Sequence, residues 1–247
     1  MRIVISSGHG RHVAGAVGIL DEVTEARKVV DRVAALLRSG GAEATVYHDN
    51  ESKTQSTNVN GIVTFHNRQT RDLDVSVHFN AHSKTDAPRG TEVLYRTQKA
   101  LAAKVSAAIA RASGLIDRGA KERTNLGFLN NTIKPAILIE VCFVDSTADV
   151  KLYREHFEAI CWAIADAINP GSTPKPETPE TPTQIERPTT LRQGDKGEAV
   201  REAQRLLGGL ALDGDFGPLT AARTRQFQSA NGLLADAIIG PTTWGVC

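Results

Sequence analysis

The stretch Pro135-Ala136-Ile137-Leu138-Ile139-Glu140-Val141-Cys142-Phe143-Val144 is the most apolar in the chain. A run this rich in Ile, Leu and Val reads as a central strand of a sheet covered on both faces. Glu140 sits inside it. A carboxylate there is costly to bury unless something compensates for its charge. Two readings stand. Glu140 is a strand-end residue in solvent or paired with an arginine, or it is a catalytic carboxylate at the mouth of a site. The rest of the chain decides between them by what it can place alongside.

Outward from this strand, strands and helices alternate. Residues 3–5, 43–47, 74–78 and 91–95 read as further strands. Val23, Ala26, Val29, Val30, Val33, Leu36 and Leu37 recur at helical spacing until Gly40-Gly41 stops them. Helices are also expected over 58–68, 101–112 and 149–168. Such alternation predicts an α/β domain, a mostly parallel twisted sheet flanked by helices. From residue 170 to 183 the composition turns to Pro and Thr, which cannot bury a core and favours extended geometry. Beyond it, helical patterns over 198–207 and 220–231 and a short turn from 241 predict a small all-α three-helix domain. The expected division is a domain over 1–169, a linker over 170–189 and a second domain over 190–247. Some sixty residues make a marginal core, so the second domain is expected to bind rather than catalyse.

Composition narrows the function classes. The 247 residues are 40% hydrophobic and 23% charged, with a net charge of +1. That balance suits a soluble globular protein and gives no footprint for nucleic acid. No run is long enough to span a membrane, and Met1 to Ser7 lacks the apolar core of a secretory signal. The chain is therefore expected in the cytoplasm on synthesis. Cys142, Cys161 and Cys247 are too few and too far apart for a disulfide framework or a CxxC site, and Cys142 and Cys161 read as buried thiols.

In open α/β sheets, ligands bind beyond the carboxyl ends of the strands. Strand 3–5 runs into Ser6-Ser7-Gly8-His9-Gly10, and strand 74–78 ends at His78-Phe79-Asn80. Glu22 opens the first long helix, with Glu25 one turn on as a competing carboxylate. Two imidazoles and a carboxylate are the inventory of a catalytic zinc site, which takes three protein ligands and leaves a fourth position open. Glu140 would then be free for acid–base work. Each piece also has a plain reading: a hydrogen-bonded histidine, a tight glycine turn, or an acid favoured by a helix N-terminus. His12, His48, His66 and His82 read as solvated or structural.

Ser7-Gly8-His9-Gly10, Leu20-Asp21-Glu22, Ser76-Val77-His78-Phe79-Asn80-Ala81 and Ile139-Glu140-Val141-Cys142-Phe143 resemble, in order, the four signatures of zinc-dependent N-acetylmuramoyl-L-alanine amidases of the amidase-3 type. The resemblance spans residues 2–168. Carried onto matching positions, it implies one Zn²⁺ held by His9, Glu22 and His78, with Glu140 catalytic, and it selects Glu22 over Glu25. It departs from the common pattern at Arg11 and at Asp145-Ser146, both in loops. Asn80 is a candidate support for the ligands and Arg123 a candidate partner for a substrate carboxylate, and both could equally be structural. The segment Leu191 to Trp244 resembles a three-helix peptidoglycan-binding domain. Its Asp213-Gly214-Asp215-Phe216-Gly217 loop is the expected groove wall, through Asp213 and Asp215.

The resemblance thus implies hydrolysis of the amide joining N-acetylmuramic acid to L-alanine in peptidoglycan. An amidase without a secretory signal, coupled to a wall-binding domain, fits an endolysin released through a holin. The alternatives are a bacterial autolysin or sporulation-phase lysin, and a catalytically silent wall-binding protein.

Overall fold

The structure is a computed structural model. It describes residues 1–171, 190–208, 210 and 213–244. The linker expected over 170–189 lies almost wholly outside these residues, as does Cys247. The chain divides into two compact units, Met1–Pro176 and Glu177–Cys247.

The first unit is built on β1 (Arg2–Ser7), α1 (Glu22–Ser39), β2 (Glu43–Tyr47), α2 (Gln55–Arg68), β3 (Leu73–Asn80), β4 (Thr91–Tyr95), α3 (Lys99–Ser113), β5 (Asp117–Glu122), α4 (Gly127–Asn131), β6 (Ala136–Phe143), α5 (Thr147–Glu155) and α6 (Phe157–Ile168). The six strands form one sheet in the order β2-β1-β3-β6-β4-β5. Pairing is parallel throughout except between β4 and β6. The apolar run read as a central strand is β6, paired on both sides.

Alternation along β6 divides the core, because successive side chains leave opposite faces of a strand. Ile137, Ile139 and Val141 pack with Val29 and Val33 of α1, Val105 and Ile109 of α3 and Ile160 and Ile164 of α6. Ala136 and Leu138 pack with Ile62 and Val63 of α2 and Phe128 and Leu129 of α4. Glu140, two residues beyond Leu138, therefore belongs to the face covered by α2 and α4.

Three features depart from the sequence expectation. The helix expected over 149–168 is two helices that break at His156, with φ −117° and ψ 20°. The break sets Tyr153 and Phe157 edge to face, with centroids 5.8 Å apart, and Tyr153 against Phe79 at 5.1 Å. Strand β5 and the short α4 were not expected. Strand β5 is the polar segment Asp117-Arg118-Gly119-Ala120-Lys121-Glu122, an edge strand with no apolar alternation to mark it.

The second unit holds α7 (Glu198–Leu207), α8 (Pro218–Ala230) and α9 (Pro241–Trp244) around Leu191, Val200, Leu207, Phe216, Ile239 and Trp244. It contains a repeat that the sequence reading did not find. The Gln204 amide donates to Asp213 Oδ1, the Asp215 carbonyl and Thr220 Oγ1, and its carbonyl accepts from Gly214 N. Gln228 does the same with Asp236 Oδ1, the Ile238 carbonyl, Thr243 Oγ1 and Ala237 N. Each buried glutamine closes one helix onto the following loop and so satisfies backbone groups that would otherwise be stranded. No helix among the described residues is long and apolar enough to cross a membrane.

Candidate active site

The site forms where β1, β3 and β6 end. Gly8 N donates to Val77 O at 2.9 Å and locks the exit of β1 onto β3. The His78 ring lies directly over Gly8: a Cβ there would come within 1.9 Å of ring atoms, so only glycine fits. Asp21 caps α1 by accepting from Thr24 N at 2.8 Å, and Glu22 is the first helical residue. A Cβ on Gly15 would sit 2.6 Å from Glu22 Oε2, so the loop between His9 and Glu22 needs glycine there too.

These constraints fix the Glu22 carboxylate. Oε1 accepts from Phe79 N at 3.0 Å and lies 3.0 Å from His78 Nδ1. Oε2 accepts from Ala16 N at 2.6 Å and lies 3.5 Å from His9 Nε2. The two imidazoles meet edge to face with centroids 5.2 Å apart. Burial alone would raise the pKa of Glu22. The His78 hydrogen bond, the charges on His78 and His9 and the Ala16 amide together hold it below the usual carboxylate range. Burial likewise opposes charge on His78, but the Glu22 bond and the charges of Glu140 and Glu22 prevail and raise its pKa. On His9, burial wins over Glu22 and lowers it.

One potential ligand atom each from His9, Glu22 and His78 lie within 4.8 Å of one another. Glu25 is turned elsewhere, accepting from Tyr153 OH at 2.8 Å and pairing with Lys28 at 2.7 Å. Two further observations fit a cation at this spot. His9 Nδ1 and Glu140 Oε2 are both buried without a hydrogen-bond partner among the described residues. Two neutral-capable imidazoles and one ionised carboxylate are the donor set of a catalytic zinc site.

Glu140 pairs with His78 across the parallel β3–β6 register and with Glu92 across the antiparallel β4–β6 register. Among the described residues no arginine pairs with it, which speaks against the ion-pair reading. Burial, then the charges of Glu22 and Glu92, push its pKa up to about 7, against the pull of His78 and Arg123. Thr91 Oγ1 donates to its backbone carbonyl at 3.0 Å.

Glu92 is the residue that sequence reading missed. It is buried and accepts from Asn80 Nδ2 at 3.2 Å and Arg118 Nε at 2.7 Å. Its signal was present: an acid followed by apolar Val93-Leu94-Tyr95, the same oddity as Glu140. Asn80 thus reaches the site through Glu92 rather than through a histidine. Arg123 is exposed at the end of β5, its amide donating to Tyr95 O at 2.8 Å. In the second unit, Asp213 Oδ1 accepts from Gln204 and Asp215 N, and Asp215 pairs with Lys196 at 2.8 Å.

The spare histidines are structural or solvated as expected. His66 is fully buried between Asp74 and Ser6, His48 bridges Ser7 and Asp31, and His12 and His82 are exposed.

Comparison with known proteins identifies the family of each part of the chain. Residues 3–170 match the family described as N-acetylmuramoyl-L-alanine amidase, and residues 196–246 match a peptidoglycan binding domain. An uncharacterised protein of Clostridium perfringens is 33% identical over 175 residues, covering 68% of this chain and 52% of its own length. The chain thus spans about half the length of the curated relatives it matches. Among solved structures, the catalytic domain of the CD27L endolysin targeting Clostridia difficile aligns with TM-score 0.62 and 25% identity. That alignment covers 68% of this chain and 96% of the other. The catalytic domain of CwlV, an N-acetylmuramoyl-L-alanine amidase from Bacillus (Paenibacillus) polymyxa var. colistinus, aligns with TM-score 0.56 and 27% identity, covering 68% and 96%.

Proposed function

The chain belongs to the N-acetylmuramoyl-L-alanine amidase family, and on that premise we propose that it hydrolyses the amide between the lactyl group of N-acetylmuramic acid and the first alanine of the stem peptide. One observation carries the reading. Three ligand atoms converge within 4.8 Å, and a buried, unpartnered carboxylate oxygen lies next to them in register. His9, Glu22 and His78 would hold a zinc ion, and Glu140 would serve as the base.

When bound, zinc supplies Lewis-acid chemistry, polarising a carbonyl and bringing the pKa of water toward ~7. The chain's own residues do the rest. Glu140, whose Oε2 is buried without a partner among the described residues and whose strand neighbour is His78, would be the base. It takes a proton from the attacking water as the oxygen bonds to the carbonyl carbon. It returns that proton to the nitrogen as the carbon–nitrogen bond breaks, leaving a lactyl carboxylate and a free alanine amine. Such transfer contributes roughly a hundred- to ten-thousandfold in rate. Glu92, the β4 partner of Glu140, is itself held by Asn80 and Arg118. Arg123 would meet a substrate carboxylate.

We read residues 1–169 as the catalytic domain, 170–189 as the linker and 190–247 as the wall-binding domain, with Asp213 and Asp215 on its groove. Likeness to an endolysin catalytic domain supports a wall-lytic role, and we read access to the wall as granted by a holin.

The test is digestion of purified peptidoglycan with and without a chelator. New alanine amino termini, lost on chelation and restored by Zn²⁺, are expected; new reducing sugars would show a glycosidase and sink the reading. Glu140→Gln should retain one zinc per chain by metal analysis while losing turnover at least a hundredfold. A variant that stays active removes Glu140 from the chemistry.

A further inference from the structure

Beside His78, on the sheet face covered by α2 and α4, lies a pocket of about 80 Å³. His78 and Gly8 wall it toward the metal-ligand cluster, and Val59, Ile62, Leu126 and Leu138 supply its apolar sides. That is room for roughly two or three waters or one short side chain.

Packing fixes these walls. Ile62 and Leu138 belong to one buried cluster, against which Val59 and Leu126 pack. Gly127 brings α4 so close to α2 that a Cβ there would come within 2.8 Å of Val59 Cγ1. The lining is not wholly apolar. Ser76 is 1% exposed, and its hydroxyl has no hydrogen-bond partner among the described residues. A gap left by imperfect packing is lined by methyls and stays dry, whereas a buried hydroxyl costs free energy until a polar group meets it.

Strand register says which part of a substrate reaches this pocket. Ser76 pairs with Leu138, and His78 with Glu140, across β3 and β6. Residues two apart on a strand share a face and stand about 6.6 Å apart along it. Ser76 and Leu138 thus lie one such step below His78 and Glu140, on the same side of the sheet. A base that hands a proton to the leaving nitrogen comes within about 3 Å of it. The side chain of the residue owning that nitrogen branches one carbon further on, whereas the lactyl group lies across the scissile bond.

We propose that this pocket receives the side chain of the first stem-peptide residue, and that its size and the Ser76 hydroxyl select a short side chain there. The proposal rests on the amidase reading for its ligand and on the pocket's own residues for its test.

The zinc-loaded full chain is given N-acetylmuramoyl-X-D-isoglutamine with X as glycine, alanine, serine or valine. Alanine should exceed glycine about tenfold or more in kcat/KM, the usual effect of one methyl in an apolar pocket. Val59→Ala, at a half-buried helix position, should raise the valine-to-alanine ratio about tenfold, a gain that damaged folding does not give. Ser76→Ala should lower the serine-to-alanine ratio roughly fivefold. An analogue whose lactyl group lacks its methyl should be cut like the parent. Methyl NMR of the full chain reads occupancy without turnover: Val59, Ile62 and Leu138 signals should move with L-alanyl-D-isoglutamine and stay with the glycyl dipeptide. Equal rates for glycine and alanine, selectivity unmoved by both variants, or a rate lost with the lactyl methyl overturns the pocket assignment. Cleavage of none of the substrates, with the alanyl dipeptide still shifting those methyls, refutes the amidase reading and leaves the pocket standing. Neither cleavage nor shifts would sink both.

Discussion

Asp49 ties the metal-site loop to the body of the protein. Its backbone carbonyl accepts from Arg11 N and Arg27 Nη2, both at 2.8 Å. Its carboxylate accepts from Glu51 N and Ser52 N at 3.0 Å and Asn58 Nδ2 at 2.9 Å. Burial would raise its pKa, but bonds from Ser52, Asn58 and Glu51 outweigh that and lower it from 3.8 to about 2. A folded pKa below the unfolded one stabilises above the unfolded value and loses that stability as pH falls through the folded value. The window is therefore about pH 4 to pH 2, and the stake is about 2 kcal/mol. Asp49→Asn should cost about that much at pH 7 in denaturant unfolding, and the gap to wild type should close across the window. Parallel stability curves would assign Asp49 no part in acid sensitivity. At this scale the sequence was unevenly legible. Glu140, His9, Glu22 and His78 stood out because each breaks a local pattern at a strand or helix end. Glu92 breaks a pattern equally, but its importance comes from lying opposite Glu140, and strand register across β4 and β6 is not written in either strand alone.

Among the elements, β1, α2 and β3 are joined by a buried polar chain. His66 lies 2.8 Å from Asp74 and 3.0 Å from Ser6 Oγ, and Arg71 donates to Asp74 at 2.5 and 2.9 Å. Its Ser–His–Asp geometry resembles a hydrolytic triad, but Ser6, His66 and Asp74 are all sealed from solvent, so the network holds elements together and meets no substrate. Removing one partner strands the buried charge of Arg71, which costs about 3–5 kcal/mol. Asp74→Ala should lower stability by that amount in thermal or denaturant unfolding, whereas a loss under 1 kcal/mol would mean that Arg71 finds water. The elements that sequence reading found were those with apolar periodicity. Strand β5 escaped because an edge strand pairs through its backbone on one side and needs no apolar alternation. The break at His156 escaped because no Gly or Pro marks it, and the apolar spacing Val150, Tyr153, Phe157, Ile160, Ile164 runs straight through. It is imposed by ring packing on Phe79 that only the folded sheet supplies.

On the scale of the molecule, two units with separate cores share one chain. If the second unit grips the wall while the first cuts it, the linker turns the encounter with an insoluble polymer into an intramolecular event. Effective concentrations for short flexible tethers are about millimolar, so attachment can multiply apparent affinity roughly a hundredfold or more without any new contact. That gain exists only where substrate and anchor belong to the same particle. A chain ending at residue 176 should therefore cleave a soluble muramyl peptide with unchanged kcat and KM. On intact sacculi it should need roughly a hundredfold more enzyme for the same rate, a gap that adding the second unit as a separate chain does not close. Equal activity of the two forms on sacculi would mean that the catalytic unit finds its own foothold.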